Sequence, residues 1–320
     1  MKTLTEIIVE LNEFSREIIL KKNKVVVLGG SGFIGREIVK SLVNKNVNVI
    51  VGCRNPTKAR FLEKIEGNGS VSIIQTDVIN RDDIKKVIQQ ADAIVSLVGI
   101  LFESRNNTFD AVQANAPGII SEEAKNAGVK KLVHISALGA DRFALSKYAS
   151  SKAIGEELLL ENFPEATILR PSIVFGEEDN FFNKFSQMAT FSPFLPLIGG
   201  GRTLFQPVYV KDVSDAVLKV LYDTKTNGKL YELGGPSIYS FKELMELTMR
   251  ISEKSRLLLN LPFWLADLQA RCMEILPNPM LTCDQVELLK HNNIVSSGAQ
   301  TLEDLNISAT DCRLILPTYL

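Results

Sequence analysis

From Lys24 onward, short β-branched runs (KVVVLG, VNVIVG, VSIIQTD, AIVSLVG, KLVHIS and ATILRP) alternate with stretches whose apolar residues recur every three to four positions. The runs are apolar on both faces, which predicts strands covered from both sides, and the stretches between them predict the covering helices. The clearest helix is IGREIVKSLV, where apolar residues at 34, 38, 39, 42 and 43 form one stripe. Six such strands separated by helices define an α/β fold, a doubly wound parallel sheet of the Rossmann type. After Pro171 the alternation loosens into FGEEDNFFNKFSQMATFSPFLPLIGGGRTLFQPVYV, punctuated by Gly and Pro and rich in Phe. VKDVSDAVLKVLYD then reads as a helix returning to the sheet and KLYELGG as a further strand, while residues 240–320 read as mostly helical. The pattern predicts a nucleotide-binding domain over residues 24–175, completed by 203–234, with a smaller, mostly helical lobe from 176–202 and 235–320. Within residues 1–23, Ile7, Ile8, Leu11, Phe14, Ile18 and Ile19 recur at helical spacing and predict an amphipathic helix that packs on the body or docks a partner.

Composition narrows the function by exclusion. The 36 basic and 37 acidic residues leave no net field to gather nucleic acid or anionic lipid. Cys53, Cys272, Cys283 and Cys312 lie far apart without a C-x-x-C pair, which argues against a disulfide framework or zinc site and for a reducing compartment. With His134 and His291 as the sole imidazoles, neither a metal centre nor a Ser-His-Asp triad is expected. No apolar run reaches the roughly 18 residues needed to cross a bilayer, so a soluble protein is expected. Glu6, Glu10, Glu13 and Glu17 argue against a signal or transit peptide.

The stretch VVVLGGSGFIG, residues 25 to 35, places three glycines at a spacing of three between a strand and a helix. Gly29 permits a tight exit from the strand, Gly32 lets backbone approach a pyrophosphate, and Gly35 lets helix and strand touch. With Ser31, Phe33 and Ile34 these residues form a candidate phosphate cradle at a helix N-terminus; a purely structural turn is the alternative. The second strand ends in Gly52-Cys53-Arg54, with no carboxylate for an adenosine ribose. Arg54, followed by Lys58, suits a 2′-phosphate, so NADPH (NADP) is favoured over NAD. If Arg54 is a solvated loop residue, NAD(H) also fits. Asp77-Val78, ending the third strand, meets the adenine edge or forms a cap or turn.

KLVHISALGADRFALSKYASSKAIGEELL carries Ser136 at a strand end, then Tyr148 and Lys152 four apart on one helix face. A lysine ammonium beside the phenol favours phenolate, which suits Tyr148 to exchange a proton with a carbonyl or hydroxyl, with Ser136 bonding the substrate oxygen. The pair also suits simple contact with a cofactor ribose.

GGSGFIG, Asp77-Val78, Ser136 and YASSK, in this order, make the chain resemble the short-chain dehydrogenase/reductase superfamily in its extended or atypical branch, from Lys24 nearly to the end. The resemblance implies that LVGI, at 97 to 100, replaces the Asn-Asn-Ala-Gly of catalytic members while keeping the Val98 and Gly99 backbone by the cofactor. It also implies that Asn115 serves a bend in the central helix.

ILRPSIVFGEEDNFFNKF, GGGRTLFQPVYVKDVSDAV, YELGGPSIYSFKELM and LEDLNISATDCRLILPTYL narrow the resemblance to the NAD(P)-binding accessory subunits of respiratory complex I (NADH:ubiquinone oxidoreductase), in their bacterial form. That resemblance implies a tightly held structural NADPH, complex I partners, and a role in assembly or stability of the respiratory chain without turnover. It implies the cytoplasm, at the inner face of the membrane, with the mitochondrial matrix as alternative. The competing reading is a catalytic NADP-dependent oxidoreductase or epimerase using Ser136, Tyr148 and Lys152 on a small apolar or quinone-like substrate; a third is a redox sensor.

In the same segments, Arg170-Pro171 is expected near the nicotinamide half, with Gly176 allowing close approach there, or else forms a plain strand-to-loop turn; Pro207-Val208 is expected near the cofactor, and Asp212 is expected to cap or pair at a helix start. Phe175, Phe181, Phe182, Phe185, Phe191 and Phe194 line a pocket or fill core. The helix starting at Pro262 has an apolar face of Phe263, Trp264 and Leu268, which is buried in the lobe or, alternatively, meets a partner.

Overall fold

Seven parallel strands cross the centre of the molecule in the computed structural model, which describes residues 24–104 and 107–320. They are β1 (Lys24–Leu28), β2 (Asn48–Cys53), β3 (Ser70–Gln75), β4 (Ala93–Ser96), β5 (Lys131–Ile135), β6 (Thr167–Pro171) and β7 (Leu230–Leu233). Their order is β7-β6-β5-β4-β1-β2-β3. The chain winds one way from β1 to β3 and the other way from β4 onward. A crevice therefore opens beyond the carboxyl ends of β1 and β4, where this topology places ligands. In register, Leu28 stands beside Gly52 on one side and Ser96 on the other.

Alternation along each strand divides the core in two. Val25 and Val27 face one side, with Ile38, Val39, Leu42 and Val43 of α1 (Phe33–Asn44). Val26 and Leu28 face the other, with Ile84, Val87 and Ile88 of α2 (Arg81–Ile88) and Ile120 of α3 (Ala116–Asn126). Leu159 of α4 (Lys147–Asn162) joins this second side. Each of these fully buried side chains contributes about 1.5–3 kcal/mol of transfer free energy. A π-type turn at Asp110–Asn115 leads into α3, so Asn115 stands at an irregularity of the central helix.

The later elements form their own apolar clusters. They include α5 (Phe182–Phe191), α7 (Phe241–Ile251), α8 (Phe263–Met273) and α9 (Cys283–Leu288), whereas α6 (Val210–Tyr222) does not join them. α6 returns to the sheet, placing Val213, Ala216, Val217 and Val220 in the first core. A smaller core gathers Phe175, Phe182, Phe205 and Phe241, with Phe181 and Phe185 packed against it. Phe191 and Phe194 are exposed, so the phenylalanines divide between core and surface.

Two expectations are modified, and a third falls where the structure gives no description. Residues 240–320 are less helical than their pattern implied: Leu257–Leu261 pairs in parallel with Phe194–Ile198, and much of 289–311 is irregular. That irregular backbone is tied by side chains instead, as where Asn293 Oδ1 accepts from Ser172 Oγ at 2.7 Å and Ile173 N at 3.2 Å. The apolar face of α8 is only partly buried in the lobe; Ala266 and Ala270 point inward with Phe263 packed beside them, leaving Trp264 68% and Leu268 55% exposed. The amphipathic helix expected within residues 1–23 lies outside the described residues.

Candidate functional site

At the switch point, backbone sterics account for the glycine turn. Gly29 has φ +85°, a left-handed conformation that turns the chain sharply out of β1, and its N–H donates to Gly52 O at 3.1 Å. A Cβ on Gly35 would fall 2.4 Å from Gly29 O and 2.6 Å from Gly30 Cα, so α1 presses directly on the turn. Gly32 differs, since a Cβ there would meet only Gly29 O at 3.4 Å. Packing therefore does not require that glycine, whereas a close-lying ligand would. Gly32 is the N-cap of α1 and no side chain caps the helix, which leaves first-turn N–H groups around Phe33 and Ile34 free for an anion. Ser31 lies in the same turn.

The opposite wall comes from β4, β5 and α4. Lys152 is buried, and its ammonium donates to Val98 O at 3.1 Å and Ile135 O at 3.3 Å. A Cβ on Gly99 would lie 3.2 Å from Lys152 Nζ, so Val98, Gly99 and Lys152 meet at one place. Gln113, from the π-type turn, joins these parts. Its Oε1 accepts from Ile100 N at 2.8 Å and its Nε2 donates to Ser151 Oγ at 3.0 Å. Ser136 continues β5 into this region; its hydroxyl is buried without a hydrogen-bond partner, an orphan that a ligand oxygen would satisfy. Pro171 closes β6 nearby in the sheet, where its carbonyl accepts from Leu138 N at 3.0 Å.

Electrostatics change one expectation. Burial lowers the Lys152 ammonium to about 8 despite the opposing Glu156 carboxylate. The Tyr148 phenol is pushed up to about 12, first by burial and then by Asp284. Both causes oppose the phenolate that the Tyr148–Lys152 spacing led one to expect. The Tyr148 ring instead meets Phe109 edge-on, with centroids 6.0 Å apart.

The remaining candidates are distributed as follows. Arg54 is exposed at the end of β2 and donates to Asn107 Oδ1 at 2.6 Å. Asp77 serves a turn, its Oδ1 accepting from Ile79 N at 3.3 Å, while Val78 packs on the second core. Arg170 forms a bidentate pair with Glu156, at 2.9 and 2.6 Å, which anchors α4 to β6. Gly176 does allow close approach, but of protein: a Cβ would strike Val210 Cγ1 at 2.7 Å and the Phe33 ring at 3.2 Å. Asp212 pairs with Thr310, whose N–H lies 2.6 Å from its carboxylate. No cluster of metal-ligating side chains occurs among the described residues.

Sequence reading missed Gln113 and Asp284. Gln113 lies two positions from Asn115 in the segment already singled out, but a polar residue gives no apolar signal that it faces inward. The Thr282 and Gln285 capping box marks a helix start but does not reveal that Asp284 reaches α4.

A glycine turn under an uncapped helix at the switch point of a 3-2-1-4-5-6-7 parallel sheet, facing a wall of half-buried Tyr148 and buried Lys152, defines a Rossmann protein of the extended short-chain dehydrogenase/reductase type. Residues 29–190 match the family described as NAD(P)H-binding, which gives the domain a nicotinamide dinucleotide as its cofactor class. The chain belongs, more narrowly, to the family of NADH dehydrogenase (ubiquinone) 1 alpha subcomplex subunit 9. It is 34% identical over 293 residues to the mitochondrial member from Arabidopsis thaliana, covering 88% of this chain and 73% of that one. Against the Mus musculus member it is 32% identical over 291 residues, covering 90% and 77%. Among solved structures, MoeE5 in complex with UDP-glucose and NAD superposes with a TM-score of 0.71 at 18% identity, covering 92% of this chain and 97% of that one. The UDP-glucose 4-epimerase of Thermotoga maritima with UDP-glucose gives 0.70 at 15% identity, with coverage of 92% and 97%. At such identities these two structures share the fold.

Proposed function

We propose that this chain is an accessory subunit, or an assembly and stability factor, of respiratory complex I, and that it holds NADPH as a structural clamp. The observation that carries this reading is the match, over about nine-tenths of the chain, to subunits of that enzyme. In this reading the N–H groups around Ser31, Gly32, Phe33 and Ile34 cradle the pyrophosphate, with Gly29 and Gly35 shaping the turn. Arg54 leaves Asn107 to pair with the 2′-phosphate, which favours NADPH over NADH; Asp77 and Val78 border the adenine. Val98, Gly99, Tyr148, Lys152 and Pro171 enclose the nicotinamide half. When bound, the dinucleotide supplies a potential hydride donor, yet a phenol at about 12 is poorly matched to proton exchange near neutral pH. Tyr148 then donates a hydrogen bond without moving a proton. A ligand bound by the folded state alone stabilises it by mass action, so a retained nucleotide orders the surrounding loops. The exposed Trp264 and Leu268 face of α8 supports a docking role toward other subunits, peripheral to a membrane. No helix among the described residues is long and apolar enough to cross a membrane. The aqueous face of the inner membrane, cytoplasmic or matrix, suits this arrangement.

Native purification with mass spectrometry of the bound nucleotide tests the reading. NADPH that stays bound and unoxidised, with the protein recovered among complex I subunits, is expected. Arg54→Asp is expected to shift preference toward NADH, and an unchanged preference would remove the reason for choosing the phosphorylated cofactor. The orphaned Ser136 hydroxyl favours a second reading, an NADP-dependent reductase or epimerase. Steady NADPH oxidation with carbonyl or quinone substrates, abolished by Tyr148→Phe, would establish it instead.

A further inference from the structure

We propose that Asp284, carried by the smaller lobe, is a positioning residue for the nicotinamide half of the dinucleotide site; the inference rests on the nucleotide reading above. Its carboxylate stands at the N-terminal end of α4. Oδ2 accepts from Ser146 Oγ at 2.9 Å and from Tyr148 N at 3.2 Å, and Oδ1 accepts from Lys147 N at 2.6 Å. Ser146 is itself the N-cap, accepting from Ala149 N at 3.2 Å. Donors that a helix start leaves without intrahelical acceptors are thus taken up by a side chain 136 residues beyond Tyr148.

The same element reaches the other wall of the site. Gln285 Nε2 donates to Leu101 O at 3.4 Å, just past the Val98–Gly99 exit from β4. Lys152, one turn along α4 from Tyr148, is fixed on Val98 O. Asp284 and Gln285 therefore tie both α4 and the strand-exit loop to α9. α9 is seated in turn by Val286, packed with Ala266 and Ala270 of α8. Moving α9 displaces both walls that would enclose the nicotinamide and its ribose, while the glycine turn and Arg54 lie outside these contacts.

Charge acts in the same direction. The N-terminus of α4 carries a partial positive charge that would favour a phenolate, and the Asp284 anion offsets it. The other charged groups around this turn are Lys147 and Lys152 on α4 itself, Glu103, 3.9 Å from Lys147 Nζ, and Asp141, whose N–H meets Ala149 O at 3.3 Å. Of the carboxylates, Asp284 accepts from the Tyr148 backbone directly.

Titration of the full chain with NADPH and, separately, with 2′,5′-ADP, which lacks the nicotinamide half, tests the assignment. Asp284→Ala is expected to bind NADPH about fivefold more weakly, the scale of a lost helix cap, and Asp284→Asn, which keeps one acceptor but not the charge, about twofold more weakly, with 2′,5′-ADP affinity unchanged in both. The Tyr148 phenol, followed by ultraviolet difference against Tyr148→Phe, is expected to titrate at lower pH in both. Should Asp284→Ala fail to fold, Asp284→Asn, with the same shape, decides the matter. NADPH affinity equal to wild type, or parallel loss of both ligands, overturns the positioning role. A wild-type chain that takes up neither ligand sinks the nucleotide reading itself, and this inference with it.

Discussion

At the scale of single residues, Gly32 and Gly35 have opposite reasons for lacking a side chain. Gly35→Ala drives a Cβ to within 2.4 Å of Gly29 O, so a loss of about 2–3 kcal/mol is expected in urea unfolding, together with loss of nucleotide. Gly32→Ala makes only an ordinary contact with Gly29 O and should cost within about 1 kcal/mol, the N-cap preference, while still weakening NADPH binding. Equal stability losses in the two variants would contradict this division. Lys152 gives a second test. Its ammonium is poised to lose its proton near pH 8, so affinity for the anionic dinucleotide should fall as pH rises through about 8, and Lys152→Met should flatten the profile, as read by NADPH titration between pH 7 and 10. The steric roles of Gly29 and Gly35 were legible in the sequence because their cause lies within seven residues. The charge state of Tyr148 was not, because burial and Asp284 set it, and Asp284 arrives from far along the chain.

At the scale of elements, α4 is held to its surroundings at both ends of its functional face: Asp284 caps its start, and Arg170 on β6 grips Glu156 farther along. The Arg170–Glu156 pair is largely buried and bidentate. Glu156→Ala strands a guanidinium whose remaining neighbour, Glu232, is 3.9 Å away, so a loss of about 2–3 kcal/mol is expected from urea midpoints. Glu156→Gln keeps the shape and one acceptor and should lose about 1 kcal/mol. Unchanged midpoints would assign the pair no net role. Strands β1, β2 and β4 to β7 and helices α1 and α6 were readable because burial on both faces, or one apolar stripe, leaves a clear period, whereas the edge strand β3, with no fully buried residue, showed itself by its β-branched residues. Leu257–Leu261 was not, since RLLLNL has no clean alternation and becomes a strand only through pairing with Phe194–Ile198. Likewise, Trp264 and Leu268 match a buried stripe in pattern, yet Ala266 and Ala270 make the contact.

Across the whole molecule, stability should depend on pH through His134, which is fully buried on β5. Burial, with a smaller push from Lys152, lowers its imidazole from 6.5 to about 3. The folded chain keeps it neutral while the unfolded chain binds a proton, so its contribution is complete above about pH 6.5 and is lost as pH falls toward 3. At pH 5 the loss is roughly 2 kcal/mol, measurable by urea unfolding against pH 7.5, and His134→Gln should flatten that slope. The arrangement of β7 has a different consequence. This strand lies at one edge of the sheet, in register with β6, although it follows it by nearly sixty positions in the chain. During synthesis on the ribosome, β6 must wait with a bare flank until residue 233 has emerged, and a product stopped near residue 200 would present that flank to any neighbouring nascent chain.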